Sequence, residues 1–163
     1  MTTDPLTGVM THSSFMPDLV QAAQKARTAS EPLAYVVVDV DSLSSINETF
    51  GHLAGNSALR TLGRLLRRRL RGADSVARIA GGEFAVLMPQ TSAEEARRVM
   101  DQVRAMYSGL THHSPVGEFS TTFSAGVSEL LASPESAQSL HQRARQALYR
   151  ARRRGRNRVE AAP

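Results

Sequence analysis

The sequence predicts an α+β fold, a ferredoxin-like or palm-type sandwich in which one mixed central β-sheet carries helices packed on its faces and a β-hairpin. Three observations carry that expectation. Ala34 to Val40 is a β-branched apolar run of the kind that forms a strand buried on both faces. Val76 to Ile79 and Glu83 to Met88 are short apolar runs joined through Ala80-Gly81-Gly82, and a Gly-Gly pair suits the positive φ values of a type I′ hairpin turn. The remaining segments carry apolar residues at helical spacing, so the order reads α-β-α-α-β-β-α-β-α-β.

Each element has its own signature. Ser13 to Ala29 places Phe15, Leu19, Val20, Ala23 and Ala26 on one helical stripe. Leu43, Ile46 and Phe50 define a short helix after the buried strand. Gly51 and Gly55 bracket a turn, with His52 a structural member of it, before a long helix from Asn56 to Arg71 whose core stripe is Leu59, Leu62, Leu66 and Leu70. After the hairpin, Ser92 and Glu95 form a capping box for a helix that turns Ala96, Val99, Met100 and Val103 inward. Met88, Met100 and Met106 read as core fillers, and His112-His113 as an exposed loop. Phe119, Thr121, Phe123, Ala125 and Val127 alternate as a strand with one buried face. Ser133-Pro134 reads as an N-cap with proline at the first position of the last helix, which carries Leu140, Ala144, Leu148 and Ala151. Gly155 ends it, and Asn157 to Val159 adds a short edge strand.

The composition narrows the function classes. The chain has 163 residues, and residues 2–160 are expected to form one domain. It has no cysteine, which excludes a disulfide framework and thiolate metal sites and suits a reducing, cytoplasmic location. The longest apolar run, Leu33 to Val38, is far too short for a membrane span, and no secretory leader is expected at the start. The formal net charge is +5, and every basic residue except Lys25 is arginine, the side chain suited to bidentate recognition of phosphates and guanine edges. Arg60, Arg64, Arg67 and Arg71 are expected on one helical face. Aromatic content is 5%, too sparse for the stacking sheets that read RNA, so no nucleic acid partner is expected.

Chemistry is expected at the end of the central strand. Asp39 and Asp41 lie there, and Glu83 opens the second hairpin strand. If the hairpin neighbours the central strand, Asp39 and Glu83 converge. Two carboxylates with the Val40 carbonyl are donors of the kind Mg²⁺ takes. The N–H groups of Leu43 and Ser44, opening the short helix, are placed to receive a phosphate.

Asp4-Pro5-Leu6-Thr7-Gly8, Asp39-Val40-Asp41, Ile46-Asn47, Gly51-His52 with Gly55, Arg78-Ile79-Ala80-Gly81-Gly82-Glu83-Phe84, Ala147-Leu148-Tyr149 and Gly155-Arg156-Asn157-Arg158 occur in that order. Together they resemble the GGDEF family, the diguanylate cyclases that join two GTP molecules into cyclic di-GMP. The resemblance spans nearly the whole chain, and its departures bear on function. The family's third motif position carries a carboxylate that helps hold metal and activate the ribose 3′-hydroxyl. Gly82 stands there, leaving Glu83 as the catalytic remnant, with Asp39, Val40 and Glu83 matching the family's metal ligands. Asn47 matches a guanine contact. Asn56 replaces an aspartate that accepts from two guanine donors, and asparagine offers one acceptor oxygen. Ser44 replaces a lysine near the phosphates, Arg152 stands where such a lysine is common, and Arg156 matches the family's arginine.

Arg71-Gly72-Ala73-Asp74 matches the family's inhibitory RxxD motif, which binds cyclic di-GMP. Arg71 can fork onto guanine O6/N7 or a phosphate, and Asp74 can accept from the base. The second arginine that often completes this site falls on Gln102, and Arg98, one turn earlier, is the candidate substitute. The resemblance therefore implies a degenerate, catalytically inactive domain that binds cyclic di-GMP as a signalling module. GTP binding would be weak or absent, Mg²⁺ would meet a weakened site, and the partner would be a second copy or a signalling protein. The alternative is a weakly active cyclase with product inhibition.

Overall fold

The computed structural model describes residues 2–132 and 134–163. The elements run β1 (Met10–Thr11), α1 (His12–Ala29), β2 (Leu33–Val40), α2 (Leu43–Phe50), α3 (His52–Arg69), β3 (Ser75–Ala80), β4 (Glu83–Pro89), α4 (Ala93–Ser108), β5 (His112–His113), β6 (Glu118–Phe119), β7 (Phe123–Glu129), α5 (Ala137–Arg153) and β8 (Val159–Ala161). Six strands form one mixed sheet in the order β1-β3-β4-β2-β7-β8, with β1/β3 and β7/β8 parallel and the other pairs antiparallel. β5 and β6 form a separate ribbon.

Strand β2 sits between β4 and β7 and is buried on both sides because its side chains alternate between two cores. Ala34, Val36, Val38 and Val40 pack with Leu59, Leu62, Leu66 of α3 and Met100, Val103 of α4. Leu33, Tyr35 and Val37 pack with Phe15, Leu19, Ala23 of α1 and Leu140, Ala144, Leu148 of α5. Helix α5 lies close on β7 at Gly126, where an added Cβ would collide with the backbone of Ala144 and Leu148. Only glycine permits that approach.

The predicted α+β sandwich is the fold found, with local corrections. Helix α3 starts at His52 rather than Asn56, so Gly55 lies inside it, buried against the Asn47 side chain. The helix ends at Arg69, and Arg71 falls beyond it, off the stripe of Arg60, Arg64 and Arg67. The strand expected through Phe119 to Val127 breaks into β6 and β7 at residues 120–122, where Thr121 and Thr122 turn their hydroxyls onto Asp41. His112 is buried in β5, flanked by Tyr107 and Phe119, rather than exposed in a loop; His113 beside it is exposed. Val20 and Met106, expected inward, are 46% and 37% exposed because their positions fall at the edge of each apolar stripe. Of the expected N-cap pair, Ser133 lies outside the described residues; Pro134 precedes α5, whose cap is Ser136, accepting from Ser139 N.

The Ser92–Glu95 capping box forms as expected, with Ser92 Oγ accepting from Glu95 N at 3.2 Å and Glu95 Oε1 from Ser92 N at 3.0 Å. At the hairpin, only Gly81 takes a positive φ, +44°. Gly82 does not, so the turn is not the doubly left-handed type I′ form that the Gly-Gly pair suggests.

Candidate functional site

The antiparallel register of β2 and β4 sets Asp39 directly opposite Glu83, so the two carboxylates converge as expected. Val40 N donates to Gly82 O at 3.2 Å, which ties the hairpin tip to the strand end. A Cβ on Gly82 would stand 3.4 Å from Asp39 Oδ1 and 3.0 Å from Leu43 Cδ2, so a side chain there would enter this site.

Both carboxylates already carry a cation. Arg152 of α5 is ion-paired with Asp39, and Arg145 Nη1 lies 2.7 Å from Glu83 Oε1. Burial, reinforced by the neighbouring charge of Arg156, pulls the Arg152 guanidinium below its ordinary pKa. Arg156 itself is exposed, in the left-handed region at φ +64°.

Asp41, two residues on, faces a different environment. Its Oδ1 accepts from Ser124 Oγ at 2.7 Å, and Oδ2 accepts from Thr122 Oγ1 at 2.6 Å and Asn157 N at 3.0 Å. It is a buried tie between β2, the start of β7 and the turn after α5. Leu43 is half-buried at the start of α2 and Ser44 is exposed beside it. Asn47 rests on Gly55, the residue before the half-buried Asn56, and its buried Oδ1 has no hydrogen-bond partner among the described residues. The α2–α3 pair thus brings Asn47 and Asn56 to one region.

A second constellation lies just past α3. Arg71 Nη2 donates to Asp74 Oδ1 at 2.9 Å, to Pro89 O at 2.7 Å and to Thr91 Oγ1 at 2.8 Å. Arg71 N donates to Asp74 Oδ2 at 2.9 Å, and Nε to the same oxygen at 3.3 Å. The Asp74 side chain is 1% exposed and the Arg71 side chain 53%, so the aspartate anchors a guanidinium that faces solvent. Hydrogen bonding to Asp74 pushes the Arg71 pKa up. Arg98, on α4, is exposed, 4.0 Å from Glu94 Oε1. Arg71 and Arg98 both act on Glu95: the hydrogen bonds from Ser92 lower its carboxyl pKa most, and the two arginines add to that. Gln102 is exposed further along the helix.

Sequence reading missed Arg145, Thr91 and the Asp41 hub. Arg145 had one available signal, its two-turn spacing from Arg152, which puts both on one helical face. Thr91 and the Asp41 donors come from distant segments and leave no local pattern.

Comparison with known proteins supplies the context. A family model described as "Diguanylate cyclase, GGDEF domain" matches residues 1–158. Diguanylate cyclase DgcP of Pseudomonas aeruginosa is 39% identical over 160 residues, covering 98% of this chain and 24% of that protein. Response regulator PleD of Caulobacter vibrioides is 31% identical over 159 residues, covering 96% of this chain and 35% of that protein. The chain therefore spans well under half the length of these relatives. Among solved structures, the GGDEF domain of DgcB from Caulobacter crescentus in complex with c-di-GMP superposes with a TM-score of 0.93 at 30% identity, covering 98% of this chain and 92% of that one. With a family match over nearly its full length and a backbone that superposes on that solved GGDEF domain over 98% of the chain, this chain belongs to the GGDEF family.

Proposed function

We propose that this chain is a catalytically impaired GGDEF domain that binds cyclic di-GMP through Arg71, positioned by Asp74, with Arg98 as the second cation. The observation that carries this reading is the contrast between its two sites. At the hairpin, Gly82 supplies no carboxylate, and the two that remain are each held by an arginine. Beyond α3, a half-exposed guanidinium is fixed by three acceptors on the β3–β4 side of the fold. A preorganised arginine loses less freedom on meeting a guanine edge or phosphate. Asp74 contacts a base directly only if Arg71 swings away from it, so positioning is its role in the structure as it stands.

The strand-end donors do not fit Mg²⁺ in this arrangement. A divalent ion is held best by unneutralised oxygens, and Asp39 and Glu83 each have one oxygen paired with an arginine. Asn56 also weakens guanine selection in the substrate pocket, because its amide presents a donor where guanine presents donors too. Arg152 and Arg156 remain as phosphate-binding candidates, with the Leu43 and Ser44 N–H groups at the start of α2. The solved relative bound to c-di-GMP supports the choice of ligand class.

The test is a calorimetric titration of cyclic di-GMP into the wild type and Arg71→Ala, beside a GTP turnover assay with Mg²⁺. Losing a bidentate arginine contact is expected to weaken binding by about 1–3 kcal/mol, with cyclic di-GMP synthesis at background. Equal affinities for the two proteins reject the site. Synthesis at the rate of an active cyclase selects the alternative reading, a product-inhibited enzyme.

A further inference from the structure

We infer that Arg145 and Arg152 form an internal cation pair that replaces a divalent ion at the Asp39–Glu83 strand end and keeps such ions out. The inference concerns residues outside the Arg71–Asp74 constellation and stands or falls separately from it.

Asp39 and Glu83 are direct cross-strand partners. Like charges in that relation repel, and their Cβ atoms are typically about 5 Å apart. A strand pair with two facing carboxylates therefore needs a positive charge close by. Helix α5 supplies two. Arg145 and Arg152 are seven positions apart, two helical turns, which places both on one face and their Cα atoms about 10 Å apart along the axis. That face is the one α5 turns to the sheet, since Ala144, Leu148 and Ala151 on it are buried.

Each arginine takes one acid: Arg152 with Asp39, and Arg145 Nη1 with Glu83 Oε1 at 2.7 Å. The formal charges of the four groups cancel. Arg156, whose charge acts on Arg152, then tips the local balance positive. A hard dication entering here would meet at most the second oxygen of each acid, Asp39 Oδ1 and Glu83 Oε2, beside two guanidiniums that already neutralise those acids and close to a third.

The arrangement has a mechanical consequence as well. The two pairs join the C-terminal half of α5 to β2 and β4 at the end of the sheet where the hairpin turns.

Electron paramagnetic resonance of Mn²⁺ alone, added to the whole chain, tests this. The wild type is expected to leave the free-ion signal unchanged, and millimolar Mg²⁺ to leave its thermal midpoint unchanged. Arg145→Gln/Arg152→Gln frees both acids and is expected to bind Mn²⁺ at least about tenfold more tightly, an effect erased by adding Asp39→Asn. Mn²⁺ uptake by the wild type that Asp39→Asn abolishes overturns the inference, as does a folded double variant that binds no more tightly than the wild type. Should circular dichroism show the double variant unfolded, the wild type against Asp39→Asn still decides. Cyclic di-GMP affinity, measured on the same preparations, reports on Arg71 and not on this pair.

Discussion

Gly82 has no backbone reason to be glycine. Its φ is not positive, and a Cβ would meet the flexible tip of Leu43 at 3.0 Å and Asp39 Oδ1 at 3.4 Å, an ordinary contact. Gly82→Asp is therefore expected to fold with a stability change under about 1 kcal/mol in urea denaturation. By itself it is expected to leave Mn²⁺ binding absent, because Arg145 and Arg152 still hold the flanking acids. Asp41 behaves in the opposite way. It is buried and accepts three hydrogen bonds from two segments, so Asp41→Ala leaves Ser124, Thr122 and Asn157 N without their acceptor. A loss of about 3 kcal/mol or more is expected from urea denaturation, with Asp41→Asn intermediate. His112 sets a pH response. Burial lowers its pKa, reinforced by His113, and its buried Nε2 has no partner among the described residues. The fold thus favours the neutral ring, while the unfolded chain takes up the proton first. Stability is complete above the ordinary histidine pKa, about 6.5, and is lost as pH falls below it. His112→Phe should flatten the part of that loss due to this ring. His141, also lowered mainly by burial, retains its own share.

At the scale of elements, helix α5 decides most of the site. It brings Arg145 and Arg152 to the strand ends and closes on β7 at Gly126. Gly126→Ala would drive a methyl into the backbone of Ala144 and Leu148, atoms that cannot rotate aside. It should cost several times the roughly 1 kcal/mol typical of a glycine change and lower soluble yield. Helix α3 shows how a sequence boundary slips. Gly51 and Gly55 look like paired turn residues, but only Gly51 has a positive φ, +90°; Gly55 lies within the helix and lacks a side chain because Asn47 occupies the space one would fill. The ribbon β5–β6 was invisible for a similar reason. Two-residue strands carry no period, and the ribbon is held by Phe119 stacking on its cross-strand partner His112 and on Phe50, which is distant in sequence.

For the whole molecule, binding a ligand only in the folded state raises apparent stability by mass action, about 2.7 kcal/mol at one hundred times Kd. Cyclic di-GMP at one hundred times the wild-type Kd should thus raise the thermal midpoint of the wild type and raise that of Arg71→Ala less, a scanning-fluorimetry measurement. The residues alone determined the sandwich, the hairpin, the order of the longer elements and the family, because hydrophobic period, turn glycines and spaced motifs are local properties of the chain; the two-residue strands β1, β5 and β6 are too short to show a period. The residues singled out Asp39, Glu83, Arg71 and Asp74, but that Asp39 stands opposite Glu83 depended on β2 and β4 being neighbours, and that Asp74 holds Arg71 is seen only in the folded chain. What only the tertiary structure decided was which charges meet. Arg145 lies 62 positions beyond Glu83 and Arg152 further still, and nothing in their neighbourhood says they will face acids. Side-chain electrostatics depends on distances fixed by packing, whereas the pattern of apolar residues that fixes the packing is written along the chain itself.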